Sequence, residues 1–348
     1  MRVTFNYIVI IAIFMFALSN YAQTKNPYDS QLVVALDGSG KFNSIQSAID
    51  SIPDTLSSPM KIFIKNGIYK EKIFIRKNFI TLIGESRENT SIIYPELRRK
   101  WRETNDDQDW GSAVINIADS VTNLTLVNLF IYNNYGSLYD DHDHQFAVRG
   151  GGTKIGIINC YIKSDGGDAL SLWNSDNGMY FHTKSKFEGW VDFVCPRGWC
   201  YITDSEFFSH SKTAAIWHDG SNNKDQKFVI RNSSFDGIPN FPLGRNHRDG
   251  QFFLIDCKFS KNMIDTPIYI VRYPDSTKNK PVYWGERYYY YNCHREEEDY
   301  NWYKNNLEEY DPILESSEIN GSWIFNNRWN PEKEFAEFLS NNWINENF

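Results

Sequence analysis

The sequence predicts an all-β protein folded as one parallel β-helix, a solenoid in which short strands stack coil upon coil. From residue 113 onward a short unit recurs, in which Asn, Asp or Lys precedes a small or apolar residue and then an aromatic or aliphatic anchor. Its polar members stand at positions 128, 159, 184, 204, 232, 256 and 292. Spacings of 20 to 36 residues without a helical period are typical of stacked β coils. The closely spaced two-residue hairpins of a β-sandwich do not fit this rhythm.

The first 22 residues are expected to be a signal peptide that is removed on export, so the mature protein is expected to be secreted or periplasmic. Arg2 precedes a short apolar run at 7–18, and small and polar residues follow as far as Ala22. A charged start, a short apolar segment and a small residue before the cut are the marks of such a leader. The apolar run is too short for a comfortable membrane span, so no membrane span is expected.

Residues 23–348 are expected to form one domain, because no linker rich in Pro, Gly or Ser interrupts them. The β-helical core is predicted at about 31–295, with a C-terminal tail at 296–348 packed along it. Apolar residues at helical spacing predict a helix within 42–52 that caps the N-terminal end. A second short helix is predicted at 332–338, inside the tail.

Between the first helix and the repeats, the sequence predicts short strands and one long loop. The strands are expected at 61–69, 72–77 and 80–85, where apolar runs are separated by Gly or Asn. Residues 95–112 are polar and charged, so they are predicted to form a loop laid over the body.

The composition excludes some partners and leaves the cysteines with two interpretations. A net charge of −8 argues against nucleic acid and against an anionic membrane surface. Five cysteines do not make a disulfide framework in a chain of 348 residues. Cys160, Cys257 and Cys293 follow Asn or Asp in similar contexts, which indicates a repeated buried position. Cys195 and Cys200 are close enough in sequence for a disulfide, but two small buried hydrophobic residues are an equal alternative.

Three polar residues are separated by the length of one repeat, which predicts a column of side chains. Gln145 and Asp168 are 23 residues apart, and Asp168 and Asp192 are 24 apart. Residues one coil apart lie roughly 4.8 Å apart in stacked strands. Asp192 lies among apolar neighbours in 189–194, a stretch predicted as a strand. Two adjacent carboxylates cannot both ionise freely, so one site can supply an acid and a base. Alone, Asp168 could also be a plain turn residue.

Five segments in order resemble motifs of the pectin methylesterase (pectinesterase) family, and the match runs from about 31 to 275. The resemblance implies a right-handed parallel β-helix and hydrolysis of methyl esters on galacturonate residues of pectin. A weaker likeness follows in GSWIFNNRWNPE at 321–332. The five segments are VALDGSGKFNSIQSAI (34–49), HQFAVRG (144–150), GDALSLW (167–173), GWVDFV (189–194) and PLGRNH (242–247).

The resemblance also implies a role for four residues. Asp192 would be the nucleophile, and Asp168 the general acid that protonates methanol and then the base that activates water. Arg245 would bind Asp192 and hold it ionised, because a guanidinium lowers a carboxylate pKa by about 1–3 units. Gln145 would donate to the oxyanion. No cofactor and no metal ion are implied, and the expected partner is a pectic polysaccharide bound by a monomer.

Two positions depart from the family pattern. Gly167 stands where the family has a second oxyanion Gln, and His247 stands where it has an aromatic residue that stacks on the sugar. Trp173, Trp190 or Trp217 would have to supply the missing ring, although each is also expected in the core or at a rim. These departures suggest a substrate from a branched or decorated pectic region.

Other interpretations stay open from the sequence alone. A polysaccharide lyase or a polygalacturonase uses the same scaffold, and a carbohydrate-binding protein with weakened catalysis is an alternative of another class. The run at 140–144 fits no zinc template and is predicted to be a solvated loop, with Ca²⁺ binding as the alternative. The basic residues at 76–77 and 98–102 either line a path for an anionic polyuronate or form an ordinary charged surface.

Overall fold

A computed structural model describes residues 32–56, 59–220 and 223–340 of the chain. Its strands form three parallel sheets around one apolar core, as the repeat predicts, and each strand pairs with the strand one coil away. The predicted signal peptide lies outside the described residues. Within the described ranges, no helix is long and apolar enough to cross a membrane.

Strands are numbered along the chain. The ten-stranded sheet contains β1 (Leu32–Val34), β2 (Met60–Ile64), β5 (Ile80–Gly84), β8 (Thr122–Val127), β11 (Thr153–Ile158), β14 (Met179–Thr183), β16 (Trp199–Thr203), β19 (Phe228–Arg231), β22 (Phe252–Ile255) and β25 (Tyr288–Tyr291). The nine-stranded sheet contains β3 (Gly67–Tyr69), β6 (Thr90–Ile93), β9 (Phe130–Asn133), β12 (Tyr161–Ser164), β15 (Lys186–Gly189), β17 (Glu206–Ser209), β20 (Ser234–Gly237), β23 (Lys258–Phe259) and β26 (His294–Arg295). The third sheet has two segments: β4 (Ile73–Ile75), β7 (Ala113–Ile117), β10 (Phe146–Gly150) and β13 (Leu170–Leu172), then β18 (Ile216–Trp217), β21 (Gly244–Asn246) and β24 (Tyr269–Ile270).

The recurring polar residue is the corner between the ten-stranded and nine-stranded sheets. All seven members have positive φ, between 47° and 54°, which Asn and Asp tolerate better than most residues. Their amides also bond from coil to coil, as in the 2.8 Å bond from Asn159 Nδ2 to Asn128 Oδ1 and the 2.8 Å bond from Asn292 Nδ2 to Asp256 Oδ1. The sequence repeat therefore marks a corner at which one residue in the left-handed backbone conformation redirects the chain once in every coil.

The residues after each corner fill the core. Cys160, Cys257 and Cys293 are all buried, which confirms the predicted repeated position. Cys195 and Cys200 are buried as well, and no disulfide joins them. The bridge between them is therefore not formed, and the alternative of two small buried side chains holds.

Three short helices interrupt the coils. α1 (Ile45–Asp50) is capped by Ser44 and buries its apolar face at the N-terminal end, as predicted. α2 (Arg98–Glu103) lies inside the segment predicted as a loop, so that prediction is wrong in part. This helix has no apolar period to reveal it, because it is held by charge: Arg98 and Arg102 both bind the Asp109 carboxylate at 2.6–2.9 Å. α3 (Tyr135–Tyr139) follows β9.

The tail covers the outer face of the ten-stranded sheet. Its predicted helix is present as two pieces that meet at Phe335, whose ring stacks on Phe181 of β14 with centroids 6.1 Å apart. Phe325 and Trp329 join the same apolar cluster. The helical elements of this region are α4 (Gly321–Ile324), α5 (Pro331–Glu334), α6 (Ala336–Leu339) and 3₁₀ turns at Ser276–Lys278, Asn301–Tyr303, Leu307–Glu309 and Ser316–Glu318.

Candidate active site

A cavity lies where the third sheet loses its regular strand pairing. Between β13 and β18 one coil contributes isolated bridges in place of a strand: Val194 pairs with Leu170 on one side and with Ile216 on the other, and Arg197 pairs with Trp173. The strand predicted at 189–194 is therefore wrong. β15 ends at Gly189, and a turn follows because Asp192 has a φ of 50°, which an extended strand cannot accommodate.

Asp168 and Asp192 lie side by side on adjacent coils at this interruption. Leu170 pairs with Val194, and each aspartate stands two residues before its member of that pair, so the two aspartates are in register. Each is held in a left-handed turn, with φ of 61° and 50°, and each backbone N–H donates to the next coil. Both side chains are almost fully buried, with 8% and 11% of their surface exposed. The alignment expected from the spacing is thus present for this pair.

Arg245 reaches Asp192 from β21 and binds it with both arms of the guanidinium. Nε lies 2.9 Å from Oδ1, and a terminal nitrogen lies 2.6 Å from Oδ2. We expected this pair to hold the carboxylate pKa below its usual value. Instead, burial outweighs Arg245 and raises the pKa of Asp192 to about 7. The predicted ion pair is present, but its predicted net effect on the pKa is wrong because the carboxylate is buried too deeply.

Asp168 lacks such a partner. Burial raises its pKa, and the charges of His144 and Arg98 offset that rise only in part. The Sγ atom of Cys195 lies 3.7 Å from Oδ1, near enough for a weak thiol hydrogen bond. Only Asp192 therefore has a guanidinium that favours its charged form, so the two carboxyl groups differ in what stabilises their charge.

These pKa shifts predict the pH dependence of catalysis. For a reaction in which the Asp192 carboxylate is the attacking group and Asp168 is the proton donor, the profile of kcat/KM should rise with an apparent pKa near 7 on the acidic side. At higher pH the profile should fall as the proton donor is deprotonated, and the fitted values belong to the pair. Initial rates across the pH range measure this profile. An acidic limb near the ordinary aspartate value of about 4 would contradict it.

Gln145 does not join the column, which corrects the predicted arrangement. The pairing of Val148 with Leu170 sets a register in which Gln145 stands opposite Gly167, and its N–H donates to the Gly167 carbonyl at 3.0 Å. Its side chain is fully buried and binds backbone: the amide oxygen accepts from Gly136 N–H at 3.0 Å, and the amide nitrogen donates to the Asp141 carbonyl. Gln145 therefore holds α3 and the residues that follow it, and its side chain faces away from the cavity.

Three of the four predicted aromatic subsite residues line the cavity, which has a volume of about 750 Å³. Trp173, Trp217 and His247 form one wall, where the indole N–H of Trp217 donates to His247 Nδ1 at 2.7 Å. Trp190 lies outside the cavity lining. It stacks between His142 and His210, with centroids 4.0 and 6.1 Å away, because the turn after β15 turns it away from Asp192.

The cavity is strongly basic, and of its cations only Arg98 and Arg245 were indicated by the sequence. These cations come from four separate segments, so no motif could have revealed them together. Arg197 packs against two rings of the wall, 4.4 Å from the Trp173 centroid and 5.3 Å from the Trp217 centroid. Arg98 is bound to Asp109 beneath the rim. The cations that line the cavity are Arg98, Arg197, Arg245, Arg248, Lys278 and Lys280.

The run at 140–144 forms a loop after α3, as predicted. Asp143 and His144 pair within it, since Asp143 Oδ1 lies 2.6 Å from His144 Nδ1. Within the described ranges, no cluster of three or more His, Cys, Asp or Glu residues is arranged to hold a metal ion. His144 also lines the cavity, and the sequence did not indicate it as a site residue, although it stands next to Gln145 in the motif at 144–150.

Comparison with known proteins decides the family. A family model described as Pectinesterase matches residues 31–243, more than half of the chain. The chain belongs to the pectinesterase family. "Putative pectinesterase 11" of Arabidopsis thaliana is 27% identical over 309 residues, which cover 83% of this chain and 80% of that protein.

Solved pectin methylesterases share the fold. The enzyme from Aspergillus niger has a TM-score of 0.69 at 14% identity, over 90% of this chain and 97% of that one. A pectin methylesterase mutant in complex with a hexasaccharide has a TM-score of 0.68 at 20% identity, over 86% and 98% of the two chains. The predicted right-handed parallel β-helix and the predicted resemblance are confirmed. As a pectinesterase, the protein is a carboxylic ester hydrolase.

Proposed function

We propose that this pectinesterase hydrolyses methyl esters of galacturonate residues in a pectic polysaccharide, with Asp192 as nucleophile and Asp168 as acid and base. The observation that carries the proposal is the pair of buried aspartates facing each other on adjacent coils, of which only Asp192 has a guanidinium partner. Two chemically identical groups are thereby given different protonation states at one pH, as this chemistry requires.

In this mechanism a carboxylate oxygen of Asp192 bonds to the ester carbonyl carbon, and negative charge develops on the carbonyl oxygen. When the tetrahedral intermediate collapses, the bond to the methoxy group breaks and Asp168 gives its proton to the methoxy oxygen, which leaves as methanol. Water then attacks the acyl-enzyme and returns a proton to Asp168. The uronic acid leaves, and Asp192 is again a carboxylate beside Arg245.

The cavity surroundings support a polyuronate as substrate. Arg248, Lys278 and Lys280 line the same cavity as the two aspartates, and their charge attracts the free carboxylates of a partly methylated chain. Arg197 covers part of the aromatic wall. The relative bound to a hexasaccharide indicates that this kind of fold holds an oligosaccharide.

We extend the proposal to a branched or decorated pectic region. The stacking ring expected two residues after Arg245 is replaced by His247, whose imidazole is bonded to Trp217 and stacks on Tyr273 with centroids 6.1 Å apart. This subsite is polar, because an imidazole takes the place of an apolar sugar platform. Secretion and a monomeric state are part of the same proposal and rest on the leader sequence and on the expected single domain.

Methanol release from a panel of pectic fractions tests both levels of the proposal. Methanol and acid should appear while the chain length stays unchanged, and branched or decorated fractions should react fastest. If unbranched, highly methylated homogalacturonan reacts fastest, the decorated substrate is wrong and the esterase activity stands. An ultraviolet-absorbing unsaturated product whose formation a chelator blocks would instead indicate a lyase.

A further inference from the structure

The His144 ring contacts one aspartate through each of its two nitrogen atoms, Asp143 through Nδ1 and Asp168 through Nε2. Nδ1 lies 2.6 Å from Oδ1 of Asp143, and Nε2 lies 3.7 Å from Oδ2 of Asp168. The ring lines the cavity together with Asp168 and Asp192, and 39% of the side chain is exposed there. A carboxylate can only accept, so Asp143 takes the hydrogen of Nδ1 and turns Nε2 toward the reacting groups.

The His144 ring also lies beside Gly167, the position at which the second oxyanion donor of the family is missing. A Cβ atom built on Gly167 would lie 2.7 Å from Cγ1 of Val191 and 3.0 Å from its carbonyl oxygen, so a larger residue would not fit without a shift. The next atom is Cδ2 of His144 at 3.7 Å. The donor expected at position 167 therefore has no room of its own, and His144 stands beside the gap.

The other candidate donors at this end of the cavity already hold protein groups with most of their donor atoms. Both side-chain ends of Gln145 are bonded to backbone, and the guanidinium of Arg98 is bonded to Asp109 through Nε and Nη2, each at 2.9 Å. Arg245 is bonded to Asp192. His144 Nε2 lies 3.7 Å from Asp168, too far for a hydrogen bond, and 39% of the side chain is exposed where it lines the cavity, so a substrate oxygen can approach the ring from that side.

We propose that His144, oriented by Asp143, donates a hydrogen bond from Nε2 to the ester carbonyl oxygen as Asp192 attacks. This inference rests on the proposed function and assigns the oxyanion contact to a residue other than Gln145. Because Nδ1–H is held by Asp143, donation from Nε2 uses the doubly protonated ring. Asp143 and Asp192 face this ring as carboxylates and Asp168 faces it as the protonated acid, while Arg98 and Arg99 are the neighbouring cations, Arg99 lying 3.7 Å from Asp143.

Two substitutions at this position separate a donor from a proton carrier. His144→Ala should lower kcat by about 10²–10³-fold with KM little changed, the loss typical of one oxyanion donor. His144→Gln should recover kcat to within about tenfold of the wild type, because an amide N–H donates without exchanging a proton. Initial rates of methanol release at several concentrations of one reactive pectic fraction give kcat and KM, and thermal unfolding of each variant shows whether it is folded. His294→Ala is the matched control, because His294 is on β26 with 65% of its side chain exposed.

The outcomes distinguish this inference from the proposed function. If the wild type releases no methanol from any pectic fraction, the proposed function fails. If the wild type is active and His144→Ala keeps full kcat, only the role of His144 is overturned. An inactive His144→Gln that unfolds at the wild-type temperature would also overturn the donor role, because it would point to proton transfer. Should the Ala variant not fold, His144→Asn replaces it, since its shorter amide should not reach the ester and should be slow.

Discussion

Replacing Asp192 by Asn is expected to lower kcat for methanol release by at least about 10⁴-fold, because an amide oxygen is too weak a nucleophile to form the acyl-enzyme. The substitution keeps the shape of the side chain and the left-handed turn, which Asn tolerates as well as Asp. Arg245 would lose its charged partner in a buried place, so thermal unfolding has to be measured beside the rate. Binding of demethylated pectin should change much less than kcat.

Asp204→Asn is the matched control for this substitution. Asp204 has a φ of 52° in the corner between β16 and β17, and it is exposed to solvent away from the cavity. Its side chain accepts from Asn232 and Thr203, contacts that an Asn can keep in part. Full activity in the control and none in Asp192→Asn would support the nucleophile. Methanol release by Asp192→Asn at the rate of an active wild type would contradict the nucleophile role. No methanol release by either protein, with binding unchanged, would leave a carbohydrate-binding protein as the better interpretation.

Asp168→Asn should lower kcat for methyl esters by about 10²–10⁴-fold, the range for losing a general acid and base. Methoxide is a poor leaving group, so its departure depends on the proton of Asp168. The phenolate of an activated ester, such as an aryl ester of galacturonate, leaves without that proton. The variant should therefore form the acyl-enzyme from the aryl ester nearly as fast as the wild type does, which a burst of released phenol in a rapid-mixing experiment would show.

The two leaving groups make the prediction specific to proton transfer. A merely structural role for Asp168 would slow both esters equally, because the position of Asp192 would be disturbed for either substrate. Equal losses for methyl and aryl esters would therefore contradict the acid role.

Much of the fold follows from local rules that can be applied to the sequence alone. The polar residue of each repeat marks a corner because Asn and Asp accept positive φ, and the apolar anchors that follow it face one core. α2 was missed for the opposite reason. Its stability comes from Arg98 and Arg102 meeting Asp109, a contact between residues that no apolar period connects.

The candidate site divides in the same way. Asp168 and Asp192 could be paired from the sequence, because their spacing equals the length of the local coil. Gln145 could not be placed, because its coil is one residue shorter than the spacing used to align it, and a single residue exchanges Asp168 for Gly167 as its neighbour. His144 takes the cavity-facing position next to it, since adjacent residues of an extended chain point to opposite sides.

By itself the sequence determined the parallel β-helix, the family and the two aspartates, because repeat spacing and motif order survive without coordinates. Only the tertiary structure decided how far burial raises the pKa of Asp192, which side chain stands beside Gly167, and that Trp190 lies outside the cavity. The physical reason is that desolvation, register and the cationic lining depend on segments far apart in the chain. Asp192 and Arg245, 53 residues apart, meet at 2.6 Å only after the coils have stacked.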